Sequence, residues 1–227
     1  MLIYLTRPEW DDKTVQFTEE LERVLPQNIP FRDRVIDKAD QHLRLILSAN
    51  EYMNLTRITD PREAVIKHVY DCVAPWQHFQ HAKRILDAGS GAGFPGVPLA
   101  LVFPGVRFSL AESIQKKARF LDSAVESLEL PNVHVYAQRA EDVARIQQVD
   151  VITARAVAPV GRIFELFRKF LKNGTRVLLY KGPDVASELA EAHENRVHAE
   201  VVCRYELPGG LGVRTLVELR KEHANRT

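Results

Sequence analysis

Cysteine is nearly absent: Cys72 and Cys203 are the only two in 227 residues. They stand far apart, with no Cys-x-x-Cys or metal spacing, which excludes a disulfide framework and a cysteine-built zinc site. No metal is expected, and a reducing cytoplasm fits. Long apolar runs are missing too. The most apolar stretch, Val97 to Phe103, is too short and too close to prolines to cross a bilayer, so no membrane association is expected. Residues 1–10 lack a basic start and an apolar core, which predicts no targeting segment. Excess charge is also lacking, because 31 Lys and Arg against 30 Asp and Glu leave a net charge of +1. That balance removes any global electrostatic argument for nucleic-acid binding and leaves only local clusters to consider. There is no internal repeat or low-complexity tract, and 45% apolar with 27% charged residues is ordinary for a folded chain.

What is present divides near residue 80. Val15, Phe17, Leu21, Val24 and Leu25 recur at helical spacing and stop before Pro26. Val35 to Met53 repeats the pattern through Ile36, Ala39, Leu43, Ile46 and Ala49. A third helical segment is expected from Pro61 to Phe79, with Asp60 as N-cap and Pro61 just inside the start. Residues 1–80 therefore read as an N-terminal helical subdomain. From Arg84 onward, strands expected near 85–88, 106–111, 133–136, 149–154 and 176–180 alternate with helices near 97–102, 115–128, 140–146, 160–171 and 185–195. Such alternation predicts a parallel sheet covered on both faces, so residues 81–227 read as one α/β domain. Ala199 to Leu207 and Val213 to Arg220 have no helix between them, only Pro208-Gly-Gly-Leu-Gly212, and predict a closing antiparallel hairpin. Ala224 to Thr227 is expected to fray.

The organising stretch is Arg84-Ile-Leu-Asp-Ala-Gly-Ser-Gly-Ala-Gly-Phe-Pro-Gly-Val-Pro98, a strand that runs into a glycine-dense loop and a helix start. Glycine at 89, 91 and 93 permits a sharp turn and leaves no Cβ between the main chain and a ligand. Two readings fit. Gly91, Gly93 and Gly96 satisfy Gly-x-Gly-x-x-Gly, which suggests a dinucleotide with its pyrophosphate on the helix N-terminus. Alternatively, Asp87-x-Gly-x-Gly-x-Gly93 is the acidic glycine loop of S-adenosylmethionine methyltransferases. Glu112 ends the second strand nineteen residues after Gly93 and is placed to accept hydrogen bonds from both ribose hydroxyls. Both cofactors carry an adenosine ribose, so Glu112 supports either.

The downstream motifs separate the two. Asn54-Leu-Thr56, Lys67-His-Val-Tyr-Asp71, Leu86 to Pro98, Glu112-Ser-Ile-Gln-Lys-Lys-Ala-Arg-Phe-Leu121, Arg139-Ala-Glu141, Thr153-Ala-Arg-Ala-Val-Ala158 and Tyr180-Lys-Gly182 occur in order from about residue 50 to 182. In this series the chain resembles the GidB, or ribosomal RNA small-subunit methyltransferase G, family. Cys72 stands where that family often has serine, and Tyr180 where an aliphatic residue is common. The resemblance implies a Rossmann-like, seven-stranded S-adenosylmethionine-dependent methyltransferase fold. It also implies an enzyme that methylates N7 of a guanine in a decoding-region loop of 16S rRNA. The implied partner is the small ribosomal subunit or an assembly intermediate, met by a cytoplasmic monomer. Carried over by motif, Gly89 and Phe94 line the cofactor, Ala140 and Glu141 meet its adenine end, and Arg155 lies beside the site.

Guanine N7 carries a free in-plane lone pair, so no general base is expected; rate comes from alignment and electrostatics. The base must be unpaired or turned outward to be reached, which suits single-stranded loop RNA. Arg155 and Lys181 are the expected substrate-positioning residues. Arg155 either contacts RNA or pairs with Glu112, Glu141 or Asp87, whereas Lys181, at the exit of the fifth strand, is expected to be exposed to phosphate. Asn54, His68, Asp71, Lys116 and Arg139 are RNA-contact candidates. His68 and Asp71 also read as braces between the helical part and the sheet. Asp87 reads as a cofactor contact or as an acceptor for loop amides, and Phe94 as a cofactor wall or a core residue. Arg162, Arg168, Lys169 and Lys172, set against Glu165, and Lys116, Lys117 and Arg119 form either solvated faces or an RNA-facing patch. An NAD-dependent oxidoreductase and a noncatalytic RNA-binding module are the competing functions.

Overall fold

Alternation of side chains along the strands decides which helices lie on which face of the sheet. The computed structural model describes residues 17–58, 60–171, 174–194 and 198–220. Expectations for residues 1–16, Lys172, Asn195 and residues 224–227 lie outside them. Strands β1 (Arg84–Ala88), β2 (Arg107–Ala111), β3 (Val133–Tyr136), β4 (Val151–Arg155) and β5 (Arg176–Lys181) pair in parallel. Strands β6 (His198–Glu206) and β7 (Val213–Arg220) close the sheet as an antiparallel hairpin, with a register shift between Val201 and Cys203. The order is β3-β2-β1-β4-β5-β7-β6, so the later strand β7 inserts beside β5.

Ile85, Phe108, Leu110, Val151, Leu178 and Tyr180 face one layer. That layer contains α1 (Phe17–Val24), α2 (Arg32–Met53), α5 (Gly96–Val102) and α6 (Gln115–Ser127). Leu86, Ala88, Ile152, Ala154, Val177 and Leu179 face the other, covered by α7 (Ala140–Ile146), α8 (Val160–Leu171) and α9 (Ala186–Glu194). Near-continuous burial of these strands is what a parallel sheet covered on both faces requires. The N-terminal helices share one apolar core with the sheet, from Phe17 on α1 to Leu216 on β7.

The third helical segment differs from the uniform helix its sequence predicts. It runs as α3 (Pro61–Ala64), a π-helical turn (Val65–Tyr70), α4 (Asp71–Val73) and a 3-10 turn (Trp76–Phe79). Its start follows the pattern: Asp60 Oδ1 accepts from the Glu63 amide at 2.8 Å and Pro61 occupies the first turn. The π turn widens the helix across Lys67 and His68, a local departure that is frequent at functional sites. Helix α2 ends where Asn54 adopts the left-handed conformation (φ 51), a role asparagine tolerates well.

Candidate functional site

Strand order reverses at β1, whose neighbours β2 and β4 lead to opposite edges of the sheet, so a crevice opens at the carboxyl ends there. The loops leaving β1 and β4 meet at that point. A Cβ on Gly89 (φ +71) would lie 2.9 Å from Val157 Cγ2, so this close approach requires glycine. Glu112 ties the next turn to the end of β2: its Oε2 accepts from the Gly91 amide at 3.0 Å and its Oε1 from the Ile114 amide at 2.7 Å. Beside Gly91 the backbone is open, since a Cβ there would meet only Gly89 O at 4.0 Å. Val157 and Ile114 are exposed apolar side chains flanking the loop. Ala140 and Glu141 begin α7 on the same sheet edge, half-buried, with exposed Arg139 as its N-cap. Bare backbone, an acidic strand end and two apolar walls fit the adenosine of S-adenosylmethionine. Ile114 and Val157 were not candidates from the sequence; their exposure beside the loop is visible only in three dimensions.

Gly93 and Phe94 turn the other way. A Cβ on Gly93 (φ +104) would collide with Val97 at 2.8 Å and approach His42 at 3.0 Å, so its bareness serves packing against α2 and α5. Phe94 is buried and stacks on the His68 ring (centroids 4.7 Å apart), with His42 tilted beside it at 5.1 Å. Arg155 lies over the same ring, 5.2 Å from its centroid. Of its two readings, Phe94 takes the packed position: it joins the glycine loop, the π turn and β4.

Asp87 is fully buried on the face of β1 that meets α5. Its Oδ2 accepts from the Gly96 amide at 2.9 Å, while Oδ1 has no partner. Burial pushes its carboxyl from 3.8 up to about 7, against the lowering pull of Ser90 and the Gly96 amide. Between those values the folded protein keeps a proton that the unfolded chain has lost. Stability contributed at this site therefore falls as pH rises through the window. The melting temperature of Asp87→Asn relative to wild type is expected to rise between pH 5 and 8 as this slope disappears. A difference constant across that range, followed by differential scanning fluorimetry, would show that the carboxyl is ionised throughout.

The second half of the site is a cleft of about 480 Å³ between the π turn and the ends of β4 and β5. That volume lies in the usual range for ligand sites. Lys67, His68, Asp71, Arg155, Lys181 and Arg214 bring its polar groups together. Arg155 donates to Lys67 O at 2.6 Å and to Asp71 Oδ2 at 3.3 Å, so its carboxylate partner is Asp71, rather than the three acids its sequence neighbourhood suggests. Asp71 Oδ1 accepts from the Tyr205 hydroxyl at 2.8 Å, and Arg214 Nε stands 3.7 Å from Oδ2. Tyr180, buried next to the cleft, donates to Cys72 O at 2.6 Å, and the Cys72 thiol donates to His68 O at 2.8 Å, as a serine hydroxyl could. Burial, then the charge of Arg155, pushes His68 down to about 3; burial pushes His42 down to about 4. Both rings are neutral at physiological pH. His42 Nε2 therefore donates its proton to Ala92 O at 2.9 Å and clamps the glycine loop.

Lys181 departs from the exposed position expected of it. Its Nζ donates to Ala158 O at 2.8 Å and to Glu188 at 2.7 Å, with the side chain 13% exposed. The reason is α9, which presents Glu188 across the β5 exit. Asn54, Lys116 and Arg139 stand outside the cleft lining. Asn54 is exposed at the end of α2, and Lys116 Nζ donates to Tyr52 O at 2.8 Å. Among the described residues, no group of three or more His, Cys, Asp or Glu side chains could hold a metal ion, and no helix is long and apolar enough to cross a membrane.

A doubly wound sheet, a glycine loop at its switch point and an acid closing the second strand define a Rossmann-like site for an adenosine cofactor. The antiparallel β7 between β5 and β6 and the chain's relatives make it that of an S-adenosylmethionine-dependent methyltransferase. The sequence model of the GidB family, described as rRNA small subunit methyltransferase G, matches residues 35–211. Ribosomal RNA small subunit methyltransferase G of Solibacter usitatus is 55% identical over 208 residues, 90% of this chain and 99% of the relative. The chain belongs to this family. Among solved structures, the METTL16 methyltransferase domain superposes with a TM-score of 0.53 at 12% identity, over 95% of this chain and 96% of that one. A mutant of MtNAS in complex with S-adenosylmethionine gives 0.51 at 14% identity, over 92% and 85%. These two likenesses establish the fold. Family membership removes the oxidoreductase alternative raised by the glycine spacing.

Proposed function

We propose that this protein transfers a methyl group from S-adenosylmethionine to N7 of a guanine in 16S rRNA, acting as a monomer in the cytoplasm on the small subunit or its assembly intermediate. The observation that carries this reading is the junction of a bare-backbone crevice at Gly89 and Gly91 with a cleft into which Lys67, Arg155, Lys181 and Arg214 converge. The cofactor, when bound, supplies an electrophilic methyl on a sulfonium. Gly89, Gly91, Glu112, Ala140 and Glu141 are the residues proposed to hold it, with Asp87, Gly93 and Phe94 shaping the loop from behind.

The polar residues of the cleft suit an RNA base and its backbone. A nucleophile that already carries a free lone pair needs no proton removed, and the neutral, tightly packed His68 is consistent with that. Arg155 is held by the Lys67 carbonyl, Asp71 and the Phe94 ring, so it enters the reaction aligned rather than searching for a position. A guanidinium gripping O6 and N7 together would block transfer, so its productive contact is to O6 or to the nucleotide's backbone. Lys181 is proposed to position substrate through the Ala158 carbonyl and Glu188, which fix the two loops at the cleft mouth. Asn54, Lys116 and Arg139 remain proposed outer RNA contacts.

Incubation with radiolabelled S-adenosylmethionine and small ribosomal subunits, followed by aniline cleavage, is expected to place label in 16S rRNA and one new cleavage at a modified guanine. Label confined to another RNA, or none despite cofactor binding, would overturn the reading and leave a noncatalytic RNA-binding module.

A further inference from the structure

We infer that Arg214, together with Arg155, forms a phosphate site in the cleft, in which Asp71 is an internal counter-ion that the RNA backbone displaces. This rests on the rRNA-methylation reading and adds to it a residue from the C-terminal hairpin.

The charges of the cleft do not balance locally. Lys67 is paired with Glu63 at 2.7 Å and Lys181 with Glu188 at 2.7 Å. Arg155 and Arg214 have Asp71 between them, at 3.3 and 3.7 Å. Each lysine has its own carboxylate, whereas two guanidiniums share one, leaving about one unit of positive charge facing the cleft.

The geometry of that sharing is loose. Elsewhere in this chain one acid also serves two arginines. Glu218 meets Arg176 through both oxygens at 2.7 and 2.9 Å, and Arg220 through both at 2.9 and 3.1 Å. In the cleft Asp71 Oδ1 is already taken by Tyr205, so both arginines approach Oδ2 alone. At 3.7 Å the Arg214 contact is Coulombic and too long for a hydrogen bond. Its Nη1 donates to Val213 O at 3.0 Å, a bond along its own strand. The planar donor fork of Arg214 is therefore not matched by an acid, and a phosphate offers the bidentate match.

Both arginines are partly open to the cleft, with side chains 17% and 25% exposed. Arg155 is anchored by Lys67 O and the Phe94 ring, so Arg214 is the more adjustable jaw. Tyr205 holds Asp71 in place when its partners are drawn away, and its hydroxyl stays protonated because burial, then the Asp71 charge, push it well above the usual range. An oxyanion in this position has two sources, the target nucleotide's phosphate and the cofactor's carboxylate. The phosphate is favoured because the cleft that Arg214 lines also carries Lys67, Arg155 and Lys181 and has no residue of the 89–93 glycine loop in its lining.

The test uses purified full-length protein, small ribosomal subunits and methyl-transfer kinetics over a salt series. Arg214→Gln is expected to raise KM for subunits about 10-fold with kcat within about twofold. It should make the log-log salt dependence of kcat/KM shallower by about 0.7, the value for one phosphate on a single strand. Arg214→Lys should keep the salt slope and lose part of the affinity. Asp71→Asn should act in the opposite direction, lowering KM about threefold, whereas a merely structural Asp71 predicts loss only. S-adenosylhomocysteine affinity in Arg214→Gln, measured by calorimetry, should stay within about twofold of wild type.

An unchanged KM and salt slope in Arg214→Gln, beside an active wild type, overturns the phosphate site and leaves the rRNA reading standing. A fall in S-adenosylhomocysteine affinity matching the rise in KM overturns it in favour of the cofactor's carboxylate. If Arg214→Gln does not fold, inorganic phosphate decides with the wild type. Inhibition competitive with subunits supports the site, and inhibition that is noncompetitive with subunits or absent overturns it. A wild type that labels no small-subunit RNA fails the underlying reading instead.

Discussion

Glu112→Ala is expected to weaken binding of S-adenosylhomocysteine by about 100-fold, which is about 2.8 kcal/mol at 1.4 kcal/mol per decade. Glu112 is 6% exposed, and each of its oxygens already takes a backbone amide, from Gly91 and from Ile114. Hydrogen bonds to a charged group contribute about 1.5–3 kcal/mol each, and removing the acceptor leaves both amides to find new partners in a tight turn. The variant therefore loses the proposed ribose acceptor and the anchor of the loop at once. Glu112→Gln is expected to fall close to alanine, because its NH2 group would face one of two N–H donors. Calorimetry decides: equal affinity in wild type and Glu112→Ala would remove both roles. Secondary structure should be retained, since the buried strand β2 packs through Phe108, Leu110 and Ala111.

Gly96→Ala should act on folding instead, with a loss of about 3 kcal/mol, at the upper end for overpacking a close-packed core. An added methyl would lie 2.3 Å from Leu110 Cδ2 and 2.7 Å from Asp87 Oδ2. Leu110 and Asp87 are fully buried, so neither can step aside cheaply. Displacing Asp87 also breaks its bond to the Gly96 amide, while its Oδ1 already has no partner. For a chain of this size the loss corresponds to a melting temperature lower by about 10 °C. Gly91→Ala is the contrasting case. Its Cβ would meet only Gly89 O at 4.0 Å, so the cost is the left-handed backbone at φ +57, about 1–2 kcal/mol. Its larger effect is expected on cofactor affinity. If thermal melts show Gly96→Ala as stable as wild type, the tight helix-to-strand packing beneath the loop is not what the contacts indicate.

Local patterns in the chain specify much of this protein's fold. The strand-loop-helix at Arg84–Pro98 is defined by adjacent residues and the carboxylate at Glu112 by its nineteen-residue distance from Gly93, so spacing exposes both. The alternation of strands and helices specified a parallel sheet, because each strand buried on both faces must be written in near-continuous apolar residues. The absence of a helix before Val213 specified the hairpin. In the same way Asp60 and Pro61 announced a helix start.

Tertiary structure decided which of the candidate polar groups meet. Arg155 could have answered to Asp87, Glu112 or Glu141 by its place in the chain; the π turn brings it Asp71, and no propensity announces a π turn in Val65–Tyr70. Arg214 and Tyr205 carry no motif, and they reach the cleft only because β7 pairs with β5, setting Thr215 opposite Lys181. Lys181 looked free at a strand exit until α9 brought Glu188 to it, and Phe94, open to reading as a cofactor wall or a core residue, is packed between His68 and Arg155. The sequence by itself determined the strands, the glycine loop and the strand-end acid, because apolar patterning and motif spacing are written along the chain. Which charges share the cleft depends on contacts up to 143 residues apart, between Asp71 and Arg214, and only strand order and helix packing close such distances.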